Sequence, residues 1–271
     1  MVTVMKNALT QSIKLNNGIQ MPFLGLGVWR TNEGEEVINS VKWAIEAGYR
    51  SIDTAKLYGN EEGVGKAVRE SGLPAEDIFI TTKVWNDDHG YEKTLKAFAE
   101  SKKRLGLDID LYLVHWPYGD TYRETWKALV HLFKEGYVKA IGVSNFEQWQ
   151  IDEIIEDTGV IPAVNQVELH PLLSQKELLS YSNNKGIKLT AWRPIMLGML
   201  DNPLLNALSK KYGKTAAQIV LRWHIQNGVV VIPKSIHKER IIENSLIFDF
   251  ELSNEDVSKI DGLNQNLHLT R

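Results

Sequence analysis

The chain has 271 residues and no cysteine. At roughly 150 residues per domain that length allows two domains, but α/β barrels run near 250 residues as one. Thirty-one basic against 34 acidic residues leave a net charge of −3, so there is no electrostatic pull toward nucleic acid or an acidic membrane. The 43% hydrophobic content excludes a disordered chain. The missing thiols exclude disulfides, thiolate catalysis and Cys-ligated metals. Met1 to Gln11 lacks the apolar stretch of a signal peptide, and no segment approaches a membrane span. A soluble cytoplasmic protein is expected.

Short β-branched or Leu-rich runs alternate with amphipathic stretches from end to end. In chain order the runs are Phe23–Val28, Arg50–Thr54, Ile78–Val84, Leu111–His115, Val138–Val143, Ala163–Glu168, Ile187–Trp192 and Val229–Pro233. The helical patterns that follow them are Glu35–Ala47, Glu61–Ser71, Tyr91–Leu105, Tyr122–Glu135, Glu147–Asp157, Gln175–Asn184, Thr215–Gln226 and Glu239–Leu246. Eight strand–helix pairs predict a parallel sheet with crossover helices. Short connections and a uniform composition favour one closed (β/α)8 barrel, a TIM barrel spanning residues 1–271, over an open doubly wound sheet. Gly106, Gly136, Gly186 and Gly228 fall where helix-ending glycines belong. Ser174 with Glu177 suggests a capping box, and Thr215 a further cap. Ser12–Met21, centred on Asn16-Asn17-Gly18, reads as an N-terminal β-hairpin plugging the barrel mouth. Ser253–Leu263 reads as an extra C-terminal helix, with only eight residues after it to reach the rim.

The C-terminal ends of barrel strands share one face, where function gathers. Asp53, Lys83, His115, Ser144-Asn145, Asn165-Gln166, Trp192 and Lys234-Ser235 end or nearly end seven of the eight runs. Polar groups closing apolar strands cost desolvation unless they face a site or one another. Asp53 and Lys83 end adjacent strands, about 4.8 Å apart, so an ion pair is within reach. Tyr58 lies on the loop after the second strand. A phenol is a weak acid at neutral pH, and a nearby ammonium is expected to lower its pKa. With His115 to hydrogen bond a substrate oxygen, the set is equipment for reducing a carbonyl or oxidising an alcohol.

The hydride for such a reaction must come from a cofactor. No dinucleotide fingerprint is present: Gly63-Val64-Gly65 lies within a helical stretch, Gly25-Leu26-Gly27 lies on the first strand, and Gly213-Lys214-Thr215 lacks the first glycine of a P-loop. A cofactor would lie across the barrel mouth, with Trp192 offering a flat face for a nicotinamide and Asn145 and Gln166 offering amides for its carboxamide. Lys234, Ser235 and Arg240 are placed to hold an adenosine 2′-phosphate. A metal-dependent hydrolase does not fit, because His89, His115 and His170 lack the spacing of a metal site.

These residues resemble the aldo-keto reductases over nearly the whole chain. The likeness is carried by Gly48-Tyr49-Arg50-Ser51-Ile52-Asp53-Thr54-Ala55, Tyr58-Gly59-Asn60-Glu61, Lys83-Val84-Trp85-Asn86, Val114-His115-Trp116-Pro117, Gly142-Val143-Ser144-Asn145-Phe146, Asn165-Gln166-Val167-Glu168 and Ile232-Pro233-Lys234-Ser235 with Arg240, Glu243 and Asn244. It is strongest toward the branch of glyoxal/methylglyoxal reductases, 2,5-diketo-gluconate reductases and prostaglandin F synthase-like enzymes. The resemblance implies a (β/α)8 barrel that reduces aldehydes and ketones with NADPH, usually as a monomer. It implies Tyr58 as general acid, Lys83 and Asp53 tuning it, and His115 orienting the carbonyl. It further implies Ser144, Asn145, Gln166 and Trp192 around the nicotinamide, Lys234, Ser235, Arg240 and Asn244 at the adenosine phosphate, Glu243 beside the adenine, and Trp29, Trp85 and Trp116 along the substrate pocket.

Three departures from the family pattern stand out. Arg193 replaces the usual serine after the stacking aromatic, which implies altered affinity at the cofactor pyrophosphate. Lys56 stands where alanine is common and is assigned to the loop surface. The short tail implies an open pocket of broad specificity. The competing reading is a regulatory barrel that binds NADPH with little turnover, and the intact set of Asp53, Tyr58, Lys83 and His115 argues against it.

Overall fold

The computed structural model describes residues 11–269. A hairpin pairs β1 (Ser12–Lys14) with β2 (Gln20–Pro22) antiparallel, Ile13 opposite Met21. Eight parallel strands follow: β3 (Leu26–Gly27), β4 (Ser51–Asp53), β5 (Phe79–Val84), β6 (Ile109–Val114), β7 (Val138–Ser144), β8 (Val164–Glu168), β9 (Lys188–Trp192) and β10 (Val230–Val231), each paired with its sequence neighbour. Bridges from Leu24 to Val231 and from Gly27 to Lys234 join the first strand to the last. The fold is the expected (β/α)8 barrel, and the wall at its seam is tight. A Cβ on Gly27 would come 2.7 Å from the Ile232 carbonyl oxygen, so only glycine fits there.

The period of two along a strand separates the interior into levels. Phe79, Leu111, Leu113, Ala140, Val164 and Val230 form an apolar cluster with Leu15 and Met21 of the hairpin. One or two steps further along the same strand faces come Lys83, His115, Ser144 and Gln166. The bottom of the barrel is therefore plugged by hydrocarbon, and its polar residues are stacked at the C-terminal mouth. The hairpin turn is tied down where Asn16 donates to the Pro162 carbonyl at 3.0 Å and Asn17 to that of Lys139 at 2.8 Å.

Between the strands lie α1 (Glu35–Glu46), α2 (Glu61–Arg69), α3 (Tyr91–Leu105), α4 (Tyr122–Lys134), α5 (Gln148–Thr158), α6 (Lys176–Lys185), α7 (Pro203–Tyr212) and α8 (Ala216–Gln226), and after the last strand come α9 (Lys238–Ser245) and α10 (Asn254–Asp261). None is long and apolar enough to cross a membrane. Apolar faces such as Val37, Val41 and Ala44 of α1 pack on the outside of the sheet in one continuous core. Thr215 caps α8 with Gln218 in a capping box, as its sequence suggests. Ser174 does not cap α6: that helix begins after Gln175 with no side-chain cap, and the Ser174 hydroxyl is buried without a partner. The helix α7 is absent from the strand–helix alternation read in the sequence. It starts on an Asn202 cap with Pro203 in its first turn, the arrangement that satisfies free N–H groups and needs none from proline.

A second difference concerns the tail. The expectation that too little chain remains to reach the rim fails, because residues 264–269 return to the mouth. The Gln265 and Leu267 amides bond the Leu172 carbonyl, and the Leu269 amide bonds Glu168 Oε1 at 2.8 Å.

Candidate active site

Lys83 sits near the end of β5, fully buried, and a buried ammonium persists only when acceptors replace its water. Three oxygens do so. Nζ lies 2.5 Å from Asp53 Oδ1, 2.9 Å from the Thr54 carbonyl and 3.4 Å from Tyr58 Oη. Asp53, at the end of β4 and 3% exposed, has its other oxygen occupied by Gln166 Nε2 at 2.7 Å from across the barrel. The carboxylate is thereby fixed in one orientation, with one oxygen reserved for Lys83. The Thr54 carbonyl was not foreseen as a ligand of the ammonium. Strand-end carbonyls carry no sequence signal.

Tyr58 ends a single 3-10 turn, Lys56–Tyr58, closed by Gly59 at φ 66°. The chain beyond it is anchored by buried Asn60, which donates to the carbonyls of Val28 and Thr31 and accepts from Thr54 Oγ1 at 2.7 Å. The phenol ring lies 4.8 Å from the Trp29 ring and 5.7 Å from the His115 imidazole, centroid to centroid. Trp85 meets His115 edge-on at 5.1 Å. Trp116, beside His115 in sequence, is 38% exposed. Asp53, Tyr58, Lys83 and His115 thus gather at the strand ends with Trp29 and Trp85.

The electrostatics correct one expectation. Tyr58 is not acidified overall: burial raises its pKa above that of an ordinary phenol, the Lys83 ammonium opposes this, and the Asp53 carboxylate adds to it. Lys83 is itself raised: burial works to lower it, and the Asp53 carboxylate with the Tyr58 hydroxyl outweighs that. His115 is held well below its usual value by burial and then by the Lys83 and His89 charges, so it is neutral at pH 7. At neutral pH the cluster holds a protonated phenol, an ammonium and a neutral imidazole, a set able to deliver one proton to a basic oxygen.

On the far side of the mouth, Ser144 donates from Oγ to the Gln166 carbonyl at 2.8 Å. Asn145 donates from Nδ2 to the His115 carbonyl at 3.0 Å, and Trp192 donates from Nε1 to Asn145 Oδ1 at 2.9 Å. Asn145 and Arg193 directly follow the strand ends of β7 and β9, with φ of 64° and 54°. Side chains rarely accept this left-handed geometry, and it concentrates at functional loops. Ser235 is buried against His237, whereas Lys234 and Arg240 are exposed and make no salt bridge among the described residues. Asn244 is buried, and Glu243 accepts from Thr215 Oγ1 at 2.8 Å.

Two departures in the sequence also find partners. Arg193 donates from Nη1 to the Leu269 carbonyl and lies over the Trp192 ring, so it engages the tail rather than standing open at the mouth. Lys56 lies on the turn before Tyr58, its side chain partly exposed and ion-paired with Asp88. Glu168, buried at the end of β8, has no role assigned from the sequence. It accepts from the Leu269 amide and faces His268 Nδ1 at 3.2 Å.

The model of the aldo/keto reductase family matches residues 23–265. The chain is 54% identical to the glyoxal reductase of Bacillus subtilis (strain 168) over 264 residues, covering 97% of this chain and 96% of that protein. It is 48% identical to a methylglyoxal reductase of Escherichia coli (strain K12) over 263 residues, covering 95% and 94%. Among solved structures, the Bombyx mori aldo-keto reductase in complex with NADP is similar at a TM-score of 0.90 and 38% identity, covering 97% of this chain and 95% of that one.

Proposed function

The chain belongs to the aldo/keto reductase family, and on that footing we propose that it reduces aldehydes and ketones to alcohols with NADPH, Tyr58 supplying the proton. The observation that carries this reading is the placement of the Lys83 ammonium within hydrogen-bond reach of both Asp53 Oδ1 and Tyr58 Oη. Bound NADPH supplies the hydride.

The residues present fit that cofactor. Trp192 presents a partly exposed ring at the end of β9, beside the amides of Asn145 and Gln166 and the hydroxyl of Ser144. Lys234 and Arg240 are exposed cations without an ion-pair partner among the described residues, flanking the start of α9, where free amides also favour a phosphate. Ser235 and Asn244 complete the phosphate side, and Glu243 borders it. Arg193 stands next to the ring platform. The Bombyx mori neighbour was solved with NADP.

In the reaction, negative charge develops on the carbonyl oxygen. Neutral His115 donates a hydrogen bond to that oxygen and holds it toward Tyr58. Tyr58 gives its proton to the oxygen, which as a nascent alkoxide is a far stronger base than a phenolate. A phenol of raised pKa is still much the stronger acid of the two, so burial keeps the proton in place without blocking its delivery. Lys83 then stabilises the phenolate, and Asp53, fixed by Gln166, keeps Lys83 charged. Trp29 and Trp85, packed against Tyr58 and His115, with Trp116 next in sequence, would line a pocket for small aldehydes and α-dicarbonyls, in line with the glyoxal and methylglyoxal reductases among the relatives.

The test is a steady-state panel of methylglyoxal, glyoxal, a keto-sugar and 4-nitrobenzaldehyde, each with NADPH and with NADH. Alcohol formed in step with NADPH consumed supports the reading. Tight NADPH binding without turnover of any carbonyl would favour a regulatory barrel instead.

A further inference from the structure

The turn that carries Tyr58 is held from two sides. On one side Asn60 ties its exit to the carbonyls of Val28 and Thr31 at the end of the first barrel strand. On the other, Lys56, the first residue of the turn, reaches across to the carboxylate of Asp88 in the loop after β5. Both partners of this ion pair are partly buried, 30% and 22% exposed, so it is shielded from solvent better than an open surface pair. Asp88 is a firm anchor. Its amide bonds the Trp85 carbonyl at 3.0 Å, its carbonyl accepts from Thr94 Oγ1 at 3.0 Å, and the next turn is pinned where the Gly90 amide bonds Thr125 Oγ1 at 2.9 Å. Those contacts fix Asp88 to α3 and α4. Lys56 reaches onto a carboxylate whose backbone those contacts hold.

The consequence lies two residues away. The Tyr58 hydroxyl is 3.4 Å from Lys83 Nζ, at the long edge of a hydrogen bond, so a small displacement of the turn breaks the contact. Lys83 and Asp88 are borne by the same strand and its following loop. An ion pair from the Tyr58 turn to that loop therefore bears, through the backbone of the turn, on the distance between the phenol and the ammonium.

We propose that Lys56 is a positioning residue for the reaction, clasping the Tyr58 turn to Asp88 so that the phenol stays on Lys83. The proposal rests on the reading of Tyr58 as proton donor. Lys56 touches neither Tyr58 nor the reacting atoms, and its effect travels through three residues of backbone.

The experiment compares Lys56→Ala, Asp88→Asn, their double variant, Lys56→Arg and Tyr58→Phe, measuring kcat, KM, coenzyme affinity by fluorescence quenching and the pH profile of kcat. Misplacing a reacting group by an ångström costs up to about 100-fold, and here the expected loss is about 10-fold in kcat. Coenzyme affinity should be unchanged. The double variant should be no worse than either single one, as for two ends of one interaction. Because Lys83 lowers the phenol's pKa, a released Tyr58 should shift the alkaline limb of the profile upward. Lys56→Arg, which keeps the ion pair, should restore both rate and limb. An inactive Tyr58→Phe beside Lys56→Ala and Asp88→Asn of wild-type kcat and limb would overturn the clasp alone. Tyr58→Phe at wild-type turnover would overturn the proton donor and the clasp together.

Discussion

Arg193 holds the Leu269 carbonyl oxygen with its Nη1 at 2.9 Å, while its guanidinium lies 5.5 Å from the centroid of the Trp192 ring. One side chain thus joins the tail to the platform proposed for the nicotinamide, and Glu168 secures the same tail through the Leu269 amide. Arg193→Ser removes the upper contact. Amide exchange in the segment 264–269 should become faster and NADPH affinity should change, both read on the intact protein. Exchange identical to wild type would show that Arg193 does not hold the tail.

Asp53 raises the proton affinity of both Tyr58 and Lys83. Neutralising it in Asp53→Asn removes that effect from each, so the alkaline limb of kcat should move to lower pH. The apparent value belongs to the coupled pair rather than to either residue. The rate should also fall by at least about tenfold, part of the roughly 10²–10⁴-fold that a positioned general acid contributes. A limb that moved upward would contradict the assignment.

His224, wholly buried in α8, makes its ring contact with the Pro194 carbonyl at 3.2 Å and has its pKa lowered by burial to about 3. Unfolded, it titrates near the ordinary histidine value of about 6.5. Between those values the unfolded chain binds the extra proton, so stability is present above the upper value and is lost as pH falls toward the lower. Urea unfolding from pH 7 to 4 should show His224→Gln with a shallower acid loss, the slopes differing by up to about 1.4 kcal/mol per pH unit. Parallel slopes would rule out this histidine as a source of acid sensitivity.

Gly65 lies where α2 crosses the end of α3. A Cβ there would stand 1.8 Å from the Leu105 carbonyl oxygen, and one on Gly63 would stand 2.4 Å from Val37 Cγ1. The Gly63-Val64-Gly65 segment is thus a helix-packing device and not a phosphate loop. Gly65→Ala should destabilise the fold by about 1–3 kcal/mol or more, seen as a lower midpoint in urea. An unchanged midpoint would mean the helices part at no cost.

The barrel and its candidate active-site corner are legible because a strand's period and its polar terminus are written in consecutive residues. Asp53, Lys83 and His115 each close an apolar run, and parallel strands bring such ends together. What the pattern missed depends on pairings distant in sequence. Nothing near Lys56 announces Asp88, and nothing in Leu269 announces Arg193 or Glu168. The sign of the Tyr58 shift was also out of reach, since it rests on how far burial outweighs one ammonium. Helix α7 did carry a local signal in Asn202-Pro203, but it falls outside the one-strand-one-helix alternation.

The central claim is that the Tyr58 hydroxyl delivers the proton. Tyr58→Phe removes that single oxygen and leaves the ring against Trp29 and His115. Its kcat for 4-nitrobenzaldehyde with NADPH should fall by about 10²–10⁴-fold while NADPH affinity holds. Turnover within about threefold of wild type, well short of any general-acid contribution, would contradict the account.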